Sequence, residues 1–113
     1  MDDCIFCKIV KREAPASIVY ESDTVIAFKS IQPVSETHIL IVPKDHVYSV
    51  TDFSDANQFF SLLTAAQSII ADLQLEKGYK LVFNGGKYQA VPHAHWHLLG
   101  GTLEDKKDVL NNI

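Results

Sequence analysis

An alternating run of histidines near the C-terminal end of the chain places the firmest constraint on its fold. Residues 93–97 read His-Ala-His-Trp-His. In a β-strand successive side chains point to opposite faces, so His93, His95 and His97 would share one face, while Ala94 and Trp96 would share the other face, which suits burial. The run therefore predicts a strand that carries imidazoles about 6–7 Å apart on one side. Imidazole can act as a nucleophile, a proton shuttle and a metal ligand near neutral pH.

Two other interpretations of the histidine run remain open at this point. A surface strand can carry three hydrogen-bonded histidines that have no chemical task. A catalytic zinc site made of all three is disfavoured, because neighbouring positions on the same face of a flat strand converge poorly on one ion. Tetrahedral zinc sites usually take their ligands from several segments of a chain.

The remaining hydrophobic pattern predicts an α+β domain with an antiparallel sheet. Strand character is found in residues 17–21, 24–28, 38–42, 79–83 and 93–99, and the first two segments form a hairpin with its turn at residues 22–23. Residues 54–75 predict one long helix, with Ser54 or Asp55 as its N-cap and Gly78 as its stop. Its apolar stripe is core: Phe59, Leu62, Leu63, Ala66, Ile69, Ile70 and Leu73. Residues 4–10 predict a short helix or turn that packs one side on the core.

Length and charge narrow the classes of function. A chain of 113 residues fits one domain, residues 1–113, with one core. A net charge of −4 without a basic stripe argues against a nucleic-acid polymer as the main partner, whereas a small anionic ligand can still be bound locally. No apolar run approaches the roughly 20 residues that span a membrane. The acidic start at residues 1–4 lacks a secretory pattern, so a cytoplasmic protein is expected.

Cys4 and Cys7 have the C-x₂-C spacing of a zinc half-site. A pair of buried thiols and a redox dithiol are the alternatives, and a structural disulfide does not fit the cytosol. A zinc half-site needs two more ligands, and His46 and His93 are the candidates. A site made of these four residues would tie three distant segments together and would leave His95 and His97 free for chemistry.

At this point the residues resemble those of a known family. The histidine-triad (HIT) superfamily has the signature His-φ-His-φ-His-φ-φ, where φ is apolar, and residues 93–99 meet it in full. Gly100 and Gly101, which directly follow the signature, make the chain resemble the Hint branch, the nucleoside phosphoramidate hydrolases. The Fhit-like branch, which cleaves dinucleoside polyphosphates, usually continues with proline and arginine. Further similar blocks are residues 5–9, 19–21, 37–44, 78–79 and 84.

The resemblance implies a fold, a ligand and a mechanism. The fold is a five-stranded antiparallel sheet with one long and one short helix, joined into a ten-stranded sheet in a homodimer. His95 would attack the α-phosphorus of a purine nucleotide, His97 would bind the phosphate, and His38 would lie close behind the nucleophile. Zinc held by Cys4, Cys7, His46 and His93 would be structural, and no catalytic metal would be required. The nucleotide would be bound by Ile5, Phe6, Ile9, Phe28, Ser30, Ile31, Asn84, Gln89, His95 and His97.

Three departures from the family pattern leave the substrate open. Ser30 stands where the family usually has an aspartate that holds the ribose hydroxyls, and Ala90 stands where a serine hydroxyl is usual. The tail, residues 102–113, does not resemble the Hint tail that shapes the choice of leaving group. Two other functions are therefore kept: a nucleotide-binding regulatory module with weak or no catalysis, and a dinucleoside polyphosphate hydrolase.

Overall fold

A computed structural model of the protein describes the backbone of residues 4–103 and the side chains of residues 4–101. Two helices, α1 (Ile5–Val10) and α2 (Ala56–Asp72), accompany five strands: β1 (Ile18–Glu21), β2 (Val25–Lys29), β3 (Ser35–Pro43), β4 (Tyr79–Phe83) and β5 (Trp96–Leu103). The strands form one antiparallel sheet in the order β1-β2-β3-β5-β4. The predicted α+β class, with one long and one short helix, is confirmed. Of the predicted domain, residues 1–3 and 104–113, which include most of the tail, lie outside the described residues.

The sheet buries both of its faces, and each face has its own core. On one face, alternate residues of the central strands pack against α2; among them are Val25, Ala27, Ile39, Ile41, Trp96 and Leu98. On the other face, Ile26, Phe28 and Val42 pack with Phe6, Cys7 and Ile9 around α1. Since α1 has six residues, it is about 9 Å long and covers only part of a sheet face. The triad side chains lie on this thinly covered face.

Helix α2 begins and ends inside the predicted range. Asp55 is its N-cap, because its carboxylate accepts a hydrogen bond from the N–H of Asn57 at 2.9 Å. The predicted stop at Gly78 is wrong: the helix ends at Asp72, and Gln74 adopts a left-handed conformation with φ 57°. Leu73, predicted as core, is 43% exposed because it follows the last helical turn.

The start of β5 corrects the prediction that a strand runs from His93 to Leu99. The ladder begins at Trp96, which pairs with Ile41 on β3 and with Phe83 on β4. The N–H of Ala94 instead bonds the carbonyl of Val47 at 2.6 Å, a residue in the loop after β3. His93, Ala94 and His95 therefore precede the sheet, and other contacts must hold them.

Strand β3 is longer than predicted, since it begins at Ser35 within a segment that looks loop-like in sequence.

Within residues 4–103, neither helix is long and apolar enough to cross a membrane.

Candidate active site and metal centre

Four predicted ligands meet in one buried cluster. Cys4 lies at the N-terminus of α1, Cys7 lies one turn later, His46 follows β3, and His93 precedes β5. Their ligand atoms all lie within 4.8 Å of one another. Three segments that are distant in sequence thus converge as predicted.

The spacing of these atoms fits a small tetrahedral ion. The distances from His93 Nδ1 are 3.4 Å to Cys4 Sγ and 3.6 Å to Cys7 Sγ, and Cys7 Sγ lies 3.1 Å from His46 Nδ1. In a zinc site, bonds of about 2.0–2.3 Å place neighbouring ligand atoms roughly 3.3–3.8 Å apart. Two thiols and two imidazoles are also a usual donor set for structural zinc. The cluster is therefore positioned to hold a metal ion.

The protonation of His93 suits a ligand. Its Nε2 lies 2.8 Å from the carbonyl oxygen of Pro43, which can only accept, so Nε2 carries the proton and Nδ1 presents a lone pair to the thiols. Burial is the main reason that the pKa of His93 falls to about 4, so the ring is neutral at pH 7. Burial first, and then the neighbouring Cys4, raise the pKa of the Cys7 thiol to about 11; a bound cation would favour the thiolate instead.

His95 is held by one backbone hydrogen bond. Its Nδ1 lies 2.7 Å from the carbonyl oxygen of His93, so Nδ1 must donate, and the lone pair is left on Nε2. The ring is only 5% exposed, and burial lowers its pKa. A neutral imidazole with a fixed ring and an available Nε2 lone pair is the form that a histidine nucleophile needs.

His38 and His97 form a second oriented pair. The N–H of Val34 donates to His38 Nδ1 at 3.2 Å, so Nε2 of a neutral His38 carries the proton. That Nε2 lies 2.9 Å from His97 Nδ1 and donates to it, which leaves the proton of His97 on Nε2. The His97 ring centre is 4.9 Å from that of His95. The site thus combines a lone pair on one histidine with an N–H donor on the next.

Only some of the residues predicted to bind a nucleotide lie close to His95. Phe6 packs its edge against His95, with ring centres 5.0 Å apart, and Phe28 lies next to Phe6 at 5.5 Å. Ile9 is buried in the same core, and the half-buried Asn84 follows β4. Ser30 follows β2, where its N–H bonds the carbonyl of His38 at 2.9 Å.

Two isoleucines lie apart from that group. Ile31 is 95% exposed. Ile5 borders a depression of about 360 Å³ on the side of the metal cluster, lined by Cys4, His46, Tyr48, Ala90, Val91 and Pro92. Both isoleucines stay predictions as nucleotide contacts.

Gln89, predicted above as a nucleotide contact, makes hydrogen bonds to backbone carbonyls of two loops. Its side-chain amide donates to the carbonyl oxygens of Tyr48 and Val91, the second at 2.9 Å. It thereby ties the loop that carries His46 to the loop that leads into the triad. Sequence reasoning also missed the backbone groups of Val34, Pro43 and Val47, because every residue has them and no residue type marks them.

Comparison with known proteins assigns the chain to a family. A sequence model of the HIT domain matches residues 11–103. The chain belongs to the HIT family. This match confirms the resemblance drawn from residues 93–99, and it spans the triad, His38 and His46.

Relatives of known name and structure agree with this assignment. The purine nucleoside phosphoramidase of Escherichia coli K12 is 40% identical over 105 residues, which cover 88% of each chain. A HIT family hydrolase from Clostridium thermocellum has a similar structure, with a TM-score of 0.88, 42% identity, and coverage of 96% of this chain and 98% of that one. A HIT family hydrolase from Legionella pneumophila gives a TM-score of 0.85 at 38% identity, covering 93% and 98%. The chain is therefore a HIT-fold protein whose named relatives include hydrolases.

Proposed function

We propose that this HIT protein hydrolyses a phosphoramidate or related bond at the α-phosphate of a purine nucleotide, through a nucleotidyl intermediate on His95. The observation that carries the proposal is the 2.7 Å hydrogen bond from His95 Nδ1 to the carbonyl of His93, which leaves Nε2 free to attack. The identity of 40% with a purine nucleoside phosphoramidase supports this reaction class.

The reaction runs in two displacements. His95 Nε2 attacks the α-phosphorus, the bond from phosphorus to the leaving amine breaks, and the amine takes up a proton from solvent as it departs. The new imidazolium keeps the proton on Nδ1, where the His93 carbonyl accepts it. Water then attacks phosphorus and releases a proton to solvent, the bond between His95 and phosphorus breaks, and a nucleoside monophosphate leaves while the His95 ring returns to its neutral form. Two moderate barriers replace one high barrier, which is the benefit of covalent catalysis.

His97 and His38 would stabilise the negative charge on the phosphate. Because His97 Nδ1 accepts from His38, its Nε2–H is the available donor, and it would bond a phosphate oxygen as negative charge builds up. His38 holds the His97 ring in that tautomer. Fixed donors of this kind provide much of the catalysis of phosphoryl-group transfer.

The nucleotide base and ribose would bind beside Phe6 and Phe28, near the residues predicted from the family pattern: Ile5, Ile9, Ser30, Ile31 and Asn84. The contact of Phe6 with His95 supports this location, since it puts an aromatic wall next to the reacting atom. Gln89 is proposed as a brace of the neighbouring loop, on the contacts given above.

The metal would be zinc with a structural task. All four donors come from the protein, so the tetrahedral shell is closed and offers no open position to a substrate. When bound, zinc would contribute folding energy and fix the loops around it, and the proposed chemistry requires no catalytic metal.

The test is turnover of adenosine 5′-phosphoramidate by wild type and by His95→Ala. We expect AMP release by wild type and none above background by the variant, with an unchanged circular dichroism spectrum. Full activity in a folded His95→Ala protein would refute the mechanism.

A nucleotide-binding module with weak catalysis is the second candidate, and one observation favours it. The Ser30 hydroxyl, at the position of the usual ribose-binding aspartate, accepts a hydrogen bond from the N–H of Gln32 at 3.1 Å. AMP binding without hydrolysis of a phosphoramidate would select this function. Hydrolysis of diadenosine polyphosphates in preference to phosphoramidates would select the third function.

We also propose a homodimer that works in the cytoplasm. The edge strand β4 carries Tyr79 and Leu81, which are 48% and 36% exposed, and pairing of two such edges would give a ten-stranded sheet. Two free cysteines fit a reducing compartment. A monomeric mass in sedimentation at micromolar concentration would contradict the dimer.

A further inference from the structure

His93 belongs to both clusters of the site. Its imidazole Nδ1 faces Cys4 and Cys7, while its backbone carbonyl accepts the hydrogen bond from His95. The hydrogen-bonded link between the metal ligands and the proposed nucleophile is therefore the backbone of His93, and Phe6, between the two cysteines, adds a packing contact with the rings of His93 and His95 at 5.8 and 5.0 Å. Any movement of the His93 backbone would change the partner that orients the His95 ring.

No ladder pair of the described residues holds this backbone, because the pairs of β5 begin at Trp96. Three contacts secure it instead, one to Pro43 at the end of β3 and two to the loop after β3, which carries His46. His93 Nε2 donates to the carbonyl of Pro43, Ala94 N–H donates to the carbonyl of Val47, and Nδ1 joins the ligand cluster that includes His46.

Gln89 reinforces the same junction from the side. Its amide bridges the carbonyls of Tyr48 and Val91, and the carbonyl of Val91 also accepts the N–H of His93 at 2.8 Å. Because the junction is made of loop segments, its rigidity depends on these few bonds and on whatever ion the four ligands hold.

We propose that metal bound by Cys4, Cys7, His46 and His93 positions the nucleophile: it fixes the His93 carbonyl that keeps the Nε2 lone pair of His95 free. His93 and Gln89 are then positioning residues for His95. The proposal rests on the proposed function of His95 as the nucleophile. Partners behind metal ligands commonly change activity tenfold to a hundredfold when they are removed, which sets the size of effect to expect.

The molecule contains an internal control. The tautomers of His38 and His97 follow from the N–H of Val34, next to β3, and not from a metal ligand. Loss or exchange of the metal should therefore change the state of His95 and leave the tautomers of this pair unchanged. General loosening of the fold would change all three.

The test reads the imidazole nitrogens of the ¹⁵N-labelled full chain by NMR at pH 7.5, with zinc, with the larger ion cadmium, and after chelation. With zinc we expect one His95 tautomer, protonated on Nδ1. After chelation we expect a mixture of His95 tautomers with His38 and His97 unchanged, and cadmium should shift the His95 signals more than those of the pair. If chelation unfolds the chain, the comparison of the zinc and cadmium spectra decides whether the metal positions His95.

Two results would overturn the proposal. One is a His95 spectrum that is the same in every folded metal state. The other is a change in His38 and His97 as large as that in His95, which would mean that the metal only stabilises the fold. The spectra require no substrate, so this outcome is independent of whether the protein hydrolyses a phosphoramidate.

A second variant tests the junction with zinc in place. Gln89→Leu removes both amide hydrogen bonds, and Gln67→Leu makes the same change at an exposed position of α2. We expect Gln89→Leu to keep one zinc per chain and to lose about tenfold in kcat with little change in KM, whereas Gln67→Leu matches wild type. A raised KM at unchanged kcat would make Gln89 a nucleotide contact and would remove it from the junction.

Discussion

At the scale of single residues, identical side chains differ in chemistry because their hydrogen-bond partners differ. His93 donates through Nε2 to a carbonyl and presents Nδ1, whereas His95 donates through Nδ1 and presents Nε2. His97 accepts through Nδ1 and so presents an N–H. Three histidines within five residues thus present a lone pair on Nδ1 of His93, a lone pair on Nε2 of His95 and an N–H on His97, the forms that the proposed metal binding, attack on phosphorus and phosphate binding would require.

Ser30→Asp should tighten the binding of AMP. One carboxylate oxygen can replace the hydroxyl as acceptor for the N–H of Gln32, and the other is free for ribose hydroxyls. Because hydrogen bonds to a charged group contribute about 1.5–3 kcal/mol, we expect a Kd at least about tenfold lower by calorimetry. Ser22→Asp is the matched control, since Ser22 accepts similar N–H groups in the β1–β2 turn. An unchanged Kd would place the ribose elsewhere.

His97 should make the protein less stable in mild acid. Burial, and then the charges on His95 and His38, lower its pKa from 6.5 to about 4. Between these two values the unfolded chain binds more protons than the folded one, so the free energy of unfolding falls as pH falls from about 6.5 to 4.

The comparison of wild type with His97→Gln isolates this contribution. Over that pH range the variant should lose about 1–3 kcal/mol less than wild type in urea unfolding, at equal zinc concentration. Parallel curves for the two proteins would contradict the assignment.

At the scale of elements, β5 contains a bulge just past the triad. Its partners on β3 jump from Thr37 opposite Gly100 to Ser35 opposite Leu103, so two residues of β5 stand against Glu36. Gly101 has φ 75°, and a Cβ there would lie 2.8 Å from Cβ of Glu36. The bulge therefore requires glycine on two separate grounds.

Gly101→Ala should destabilise the fold. A left-handed conformation combined with a close contact costs about 1–3 kcal/mol for a residue with a side chain. Gly78→Ala is the control, because a Cβ at that position would meet no atom within 4 Å. Thermal unfolding would measure both, and equal midpoints for the two variants would show that β5 adapts without strain.

The elements also show where sequence was sufficient. Strand β4 runs from Tyr79 to Phe83 as predicted, because its apolar run stands clearly between a glycine and Asn84. The strand predicted for residues 93–95 was wrong. Alternation indicates which side chains share a face, whereas a place in the sheet also requires a partner strand. The N–H of Ala94 bonds the carbonyl of Val47 instead. The end of α2 was also predicted too late. Gln74, and not Gly78, adopts the left-handed conformation that follows the helix, and the sequence alone did not favour a glutamine there. Residue type and spacing predicted Cys4 and Cys7, the family resemblance supported His46 and His93, and neither indicated the carbonyls that orient the rings.

At the scale of the whole molecule, the four residues positioned to hold a metal bring together three segments that are distant in sequence. The four ligands come from α1 and its N-cap, the loop after β3 and the segment before β5, and two of the ligands in contact are 89 positions apart in the sequence. On the proposal that this cluster binds a metal, the same four residues would contribute to stability and to the geometry of the triad.

Metal removal should lower stability markedly. A ligand at a thousand times its Kd stabilises the folded state by about 4 kcal/mol, so chelation should lower the unfolding temperature by many degrees. Metal analysis of protein purified without chelator should find one zinc per chain. Absence of zinc, together with an unchanged unfolding temperature in EDTA, would refute the metal site.

The proposed mechanism requires His95 to carry the nucleotide covalently. The most direct test is a stopped incubation of wild type and His95→Ala with adenosine 5′-phosphoramidate, followed by intact mass spectrometry. We predict that wild type gains the mass of one adenylyl group and releases AMP, while His95→Ala does neither. Wild type that binds AMP but shows no adduct and releases no AMP from the phosphoramidate would contradict this mechanism and would identify a nucleotide-binding protein.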